Sequence, residues 1–156
     1  MRLRRSSKLM HYDPITLVIA PTVATGSASG TLYLDDEYSL AHETHGQFVH
    51  RQFQFADNKL QCRAAPVPSV EVVSGPAAAS IAVQQTNKQQ KAYQPPNTVE
   101  RIEIAGQSRA AKRVILSIPG QSTVELVSFY DPTRKVITIK KPDVKVADDW
   151  SITLEF

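Results

Sequence analysis

His42 and His45, with Glu43 between them, are the residues whose types first invite a metal. A zinc helix of the His-Glu-x-x-His kind sets its imidazoles at i and i+4, so that both reach one ion from one helical face. Here the spacing is i and i+3, Gly46 follows at once, and the flanking sequence reads as strand. A surface loop is expected. His11 and His50 lie too far away in sequence to complete a site without a contact that nothing in the pattern foretells. The acidic runs Asp35-Asp36-Glu37 and Asp148-Asp149 suggest carboxylate catalysis. A retaining glycosidase needs two carboxyl groups about 5–5.5 Å apart across one bond. Neighbours on a strand point to opposite faces, so each adjacent pair alone fails that geometry and reads as turn chemistry.

The remaining candidates are weaker. Ser6 and Ser7 near His11 lack the Gly-x-Ser-x-Gly elbow that would expose a nucleophile. Gly26-x-x-x-Gly30 lacks the strand–turn–helix setting of a phosphate loop. Tyr33, Tyr38, Tyr93 and Tyr130 could stack on sugar rings, but half-buried strand positions are the expected explanation. Cys62 is the single cysteine and closes no internal disulfide. No catalytic, cofactor-binding or metal-binding residue is therefore expected, and no cofactor.

The elements that would position these residues are strands. From Trp150 to Phe156 every even position is apolar and every odd one polar, which puts Trp150, Ile152, Leu154 and Phe156 on one face. Val49, Phe53 and Phe55 share a face in 48–56, with Arg51 between them. Further strands are expected at 15–20, 31–34, 59–63, 99–104, 113–118, 123–129 and 135–140, all rich in Val, Ile, Thr or aromatic residues. Asp57-Asn58, Pro119-Gly120 and Asp131-Pro132 mark turns. No helix of three turns is evident. Many short strands with regular turns indicate an all-β antiparallel β-sandwich. The stretch 64–97 is rich in Ala, Gln and Ser and holds five of the ten prolines. It is expected to be a flexible insertion, with at most a short strand at 70–73.

Length and charge narrow the function. The chain has 156 residues, enough for one domain with a real core. The net charge is +3, and it becomes −1 without Arg2, Arg4, Arg5 and Lys8. A near-neutral body argues against nucleic acid, which wants basic residues gathered along a folded face. No apolar run approaches the roughly 18 residues of a membrane span. Ser6, Ser7 and Lys8 occupy the place where a secretory signal would be apolar.

Arg2–Ser7 with Asp13–Leu17, Gly30–Asp36, Phe48–Phe53, Val99–Ile102 and Lys140–Ile152 form five runs that, in this order, resemble glycoside hydrolase family 31. Arg2-Leu3-Arg4-Arg5-Ser6-Ser7 followed by Asp13-Pro14-Ile15-Thr16-Leu17 resembles the segment just after the family's catalytic barrel. Gly30-Thr31-Leu32-Tyr33-Leu34-Asp35-Asp36 resembles its Gly-x-Leu-Tyr-Leu-Asp-Asp strand. Phe48-Val49-His50-Arg51-Gln52-Phe53, Val99-Glu100-Arg101-Ile102 and the stretch from Lys140 to Ile152 resemble the strands that follow. Glu37 and Asp143 stand where the family usually has Gly.

The resemblance implies that residues 1–20 end a proximal C-terminal β-domain and residues 21–156 form the distal C-terminal β-sandwich. The family's catalytic aspartates lie in the barrel, in motifs such as Trp-x-Asp-Met-Asn-Glu, which this chain does not contain. It implies a non-catalytic part of an α-glucosidase that removes α-linked glucose from N-glycans in the endoplasmic reticulum lumen. The implied partners are the barrel of the parent chain and a separate β subunit. Met1 is expected to be an internal residue of that longer protein. The rival expectation is a stand-alone carbohydrate-binding or interaction β-sandwich.

Overall fold

The computed structural model describes residues 5, 7–66 and 93–156. The insertion expected at 64–97 is described only at its two ends, and the short strand expected at 70–73 lies outside the described residues, as do Arg2, Arg4 and Ser6. Ten strands occur among the described residues: β1 (Ile15–Ile19), β2 (Ala28–Leu34), β3 (Val49–Ala56), β4 (Lys59–Ala64), β5 (Thr98–Ile104), β6 (Arg113–Ser117), β7 (Val124–Glu125), β8 (Ser128–Asp131), β9 (Val136–Lys145) and β10 (Trp150–Glu155). A single-turn helix, α1 (Ala41–Thr44), and a 3-10 turn over Ser7–Met10 join them.

The strands form two sheets, ordered β1-β5-β9-β8 and β2-β3-β4-β10-β6-β7. Their inner faces share one core, in which Ile102, Ile104, Ile137 and Ile139 of the first sheet meet Phe55, Leu60, Trp150 and Ile152 of the second. The alternation read from sequence is realised: β10 runs buried, half-buried, buried from Trp150, and β3 buries Val49, Arg51, Phe53 and Phe55. Asp57 and Asn58 link β3 to β4 with φ of 50° and 59°. Two successive positive φ values suit the right-handed twist of a tight hairpin.

The structure differs from the expectation in three places. The sandwich is not wholly antiparallel, since β1 runs parallel to β5, with Leu17 opposite Ile102 and Ile19 opposite Ile104. The single strand expected at 123–129 is two. β7 pairs with β6 in one sheet, β8 pairs with β9 in the other, and Leu126 and Val127 carry the chain across. The apolar alternation shifts phase there, from Val124 and Leu126 to Val127 and Phe129, but period-two reasoning does not by itself turn that shift into a change of sheet. Finally, β9 continues beyond residue 140 to Lys145 through Pro142. The register against β5 slips between Val99 and Arg101, and Pro142 sits in that bulge, where a missing N–H costs no ladder bond.

The border expected after residue 20 falls between β1 and β2, which lie in different sheets. Ile19 is nonetheless buried in the shared core. Glu37 and Asp143 adopt φ of 59° and 50°, the left-handed region that glycine favours. Residues that carry a Cβ therefore hold these positive-φ positions.

Candidate functional site

Two polar clusters stand out from the apolar sandwich. The first is built on β3. Arg51 occupies an inward position between Val49 and Phe53 and is only 5% exposed. Its guanidinium donates to the Asp149 carboxylate and, over 2.8 Å, to the carbonyl of Asp148. Its Nε donates to Sγ of Cys62 on β4, 3.5 Å away. The Cys62 thiol in turn points to the carbonyl of Val146 at 3.9 Å. Burial pushes the Cys62 thiol up, and it stays protonated as both acceptor and donor. Burial pulls the Arg51 guanidinium down, but the Cys62 and Asp149 contacts outweigh that and hold it above its ordinary value. The cluster therefore fastens the β9–β10 turn to β3 and β4.

The second cluster lies where the chain enters β1. His11 Nδ1 faces Glu37 Oε1 at 3.2 Å, and its Nε2 lies 3.3 Å from the Tyr93 hydroxyl. Tyr93 donates to the Asp35 carbonyl at 2.9 Å, and burial raises its phenol. Buried Asn97 donates through Nδ2 to the carbonyls of His11 (2.8 Å) and Asp13 (3.0 Å). These bonds tie the approach to β1 to the approach to β5, and so set the parallel pair side by side.

The described residues among those weighed in the sequence take the following places. His42 and His45 lie on and just after α1, which buries none of its residues. His42 sits 3.8 Å from both Asp35 and Glu43. Asp36 accepts the backbone N–H groups of Tyr38 and Ser39 and the Ser39 hydroxyl. Those hydrogen bonds hold its carboxyl below the usual carboxylate range. Asp35 accepts the N–H of Glu37. The turn chemistry expected of Asp35 and Asp36 is what they perform, whereas Asp149 has a partner that sequence did not reveal. Tyr33 stacks on Phe48 at 5.4 Å and is 46% exposed, while Tyr130 donates to the Gln107 carbonyl. No group of three or more His, Cys, Asp or Glu side chains among the described residues is placed to hold a metal.

Neither cluster sets a nucleophile beside a base. Sequence reasoning noted Arg51 and His11 but assigned neither a partner. The signal for Arg51 was present, as a charge at an inward position of an alternating strand. For His11 there was none, because its partners are 26 and 82 residues away.

No protein-family model matches the chain. Curated relatives do. The sequence is 32% identical over 154 residues to human neutral alpha-glucosidase AB, which covers 99% of this chain and 14% of that protein. It is 35% identical over 158 residues to a probable glucan 1,3-alpha-glucosidase of Oryza sativa subsp. japonica, covering 98% of this chain and 15% of the relative. Among solved structures, the glucosidase II alpha subunit in its DNJ-bound form superposes with a TM-score of 0.71 at 28% identity, over 97% of this chain and 15% of that one. The catalytic subunit of the heterodimeric ER glucosidase II complex gives 0.70 at 29% identity. The chain thus spans only 14–15% of the length of these relatives. Together with the two-sheet fold, these likenesses place the chain in glycoside hydrolase family 31, as a relative of part of its glucosidase II α proteins.

Proposed function

We propose that this chain is the non-catalytic C-terminal β-sandwich of a glucosidase II α-like enzyme and that it supports the catalytic barrel. One observation carries the reading. Nearly the whole chain matches proteins about seven times its length, and its polar clusters are fasteners rather than reaction centres. In this reading the chain contributes no catalytic residue, and the carboxylates that cleave the glucosidic bond lie elsewhere in the parent. Residues 1–20 lead in from the preceding β-domain, with β1 shared into the sandwich. The parent acts on α-linked glucose of N-glycans in the endoplasmic reticulum and works with a β subunit. This part follows from the relatives' names and from the resemblance.

An immunoblot of native extract tests the proposal. A species many times larger than 17.3 kDa is expected. A band at 17.3 kDa, together with saturable binding of glucosylated oligosaccharides by the purified chain, would replace it with the stand-alone binding module. The partly exposed stacked pair Tyr33 and Phe48 is the feature that favours that second reading. Hydrolysis of an α-glucoside by the chain alone would overturn both.

A further inference from the structure

Among the described residues, the sandwich is open along its β1–β2 side. β1 and β2 end their sheets, and between their edges runs a slot of about 390 Å³ that opens onto Phe53, Phe55 and Leu60. Its walls are Ile15–Ile19 on one side and Ala28 to Leu32 on the other. Natural edge strands protect themselves with charge, proline, bulges or extreme shortness. Neither β1 (ITLVI) nor β2 (ASGTLYL) carries a charge or a proline. Val18, at the open rim, is 71% exposed.

The slot also has a definite origin. Gly30 stands opposite Phe53 on β2, flanked at the same-face positions by Ala28 and Leu32. A Cβ added at Gly30 would meet no atom within 4 Å. Its φ is not in the left-handed region, so the backbone does not demand glycine there. Small residues at 28 and 30 leave empty the space that a larger side chain would fill.

Resting on the reading above, we infer that this slot is a docking site for the rest of the α-glucosidase polypeptide. An extended segment pairs along the free edge of β1 and sends an apolar side chain into the space left by Gly30. The choice of occupant follows from length: the relatives carry roughly six times more chain than is present here, in the same polypeptide. Edge pairing supplies backbone hydrogen bonds, and the slot supplies the pocket for an alternate side chain.

A photo-crosslinking amino acid placed at position 18, and separately at positions 129 and 153, tests this in the protein as made by its own cells. Crosslinks from position 18 to α-glucosidase peptides outside this sequence are expected. Crosslinks to such peptides from 129 or 153 but not from 18 overturn the slot and leave the domain reading intact. Crosslinks from 18 to a second copy of this chain overturn the choice of occupant. The lack of any such crosslink from all three positions overturns both the slot and the domain reading. Gly30→Val adds an independent arm. In the chain alone it fills the slot and raises the Tm by about 4 °C. In the cellular protein it lowers the yield of the position-18 crosslink at least about fivefold. A Gly30→Val variant that melts higher and crosslinks as before would show that the slot is not where the partner inserts.

Discussion

The two flanks of the sandwich solve the same problem in opposite ways. On the β7–β8 side the sheets are joined covalently by Leu126 and Val127, and the edges are short: β7 has two residues and β8 has four. Charge covers them. Arg113 reaches Glu125 at 3.3 Å and Glu155 at 3.7 Å, and Lys140 lies 4.7 Å over the Phe129 ring. On the β1–β2 side the edges are five and seven residues long, uncharged, and separated by the slot over Phe53 and Phe55. The β7–β8 flank joins its two sheets within this chain but leaves Val127 and Phe129 exposed beside a cavity of about 480 Å³ rimmed by Glu100, Arg101 and Lys140, whereas the β1–β2 edges carry no charge at all. In the proposed parent enzyme, the uncharged β1–β2 flank is the one on which the rest of the polypeptide would dock.

The largest expected effect is a direct contrast of the two sides by the same kind of truncation. Ile139 on β9 is fully buried between β5 and β8, whereas Leu32 on β2 is half-buried and lines the slot. Ile139→Ala should cost about 3–4 kcal/mol, through lost burial plus an enclosed cavity. Leu32→Ala should cost no more than about 1.5 kcal/mol in the isolated chain, because the slot is already open and creates no new enclosed void. Urea denaturation of both variants measures this, and equal costs would erase the distinction between the flanks.

Next in size is the Arg51 fastener, which belongs to neither flank. Asp149→Ala leaves a guanidinium buried with only the Asp148 carbonyl and the Cys62 sulfur as partners. Half of the Asp149 side chain is exposed, which discounts the penalty for a buried pair, so about 2 kcal/mol is expected. Arg51→Met removes the buried charge and releases Asp149 to water, at about 1 kcal/mol or less. If Arg51→Met proves the more costly of the two, the guanidinium's packing and hydrogen bonds outweigh its need for a counter-ion.

How much of this was legible in the sequence follows from distance along the chain. The alternation in Trp150–Glu155 and Val49–Ala56 named the strands and their buried faces, because a strand's two faces are written within a few residues. The Asp57-Asn58 turn announced the β3–β4 hairpin for the same reason. The parallel β1–β5 pair was not legible, since Asn97 and His11, which set it, are 86 residues apart. Nor was the crossing at Leu126 and Val127, where two adjacent apolar residues shift the alternation but no glycine or proline marks a turn. The buried Arg51 was visible as an anomaly, but its partner Asp149 lies 98 residues away. Local periodicity names faces, whereas pairings between distant segments need the fold.

A smaller effect compares two strained residues. Glu37 and Asp143 both sit at positive φ, where a Cβ costs about 1–2 kcal/mol relative to glycine. Asp143→Gly should therefore stabilise the chain by about 1 kcal/mol, less the extra chain entropy that glycine brings to the unfolded state. Glu37→Gly makes the same backbone gain but loses the contact to His11 at 3.2 Å, so its net change should be close to zero. Thermal melting of the two variants separates them. A larger gain for Glu37→Gly would mean that the His11 contact contributes nothing.

The smallest effect lies at the end of β2, beside the open flank. Asp36 is half-buried at the surface, and hydrogen bonds from Ser39, first from its side chain and then from its backbone, hold its carboxyl below the usual range. A group whose folded-state pKa is depressed contributes stability that is complete above its unfolded value, near 3.9, and is lost as pH falls through the lower folded value. Asp36→Asn removes that charge at every pH while keeping an acceptor for the N–H groups of the loop. The variant should therefore melt slightly below the wild type at pH 6, and the two should converge as pH drops below about 4. Convergence would locate the loop's acid sensitivity in Asp36 alone. A gap that persisted at low pH would assign the difference to hydrogen-bond geometry rather than charge, and the loop beside the open flank would then owe its shape to Ser39 and the backbone.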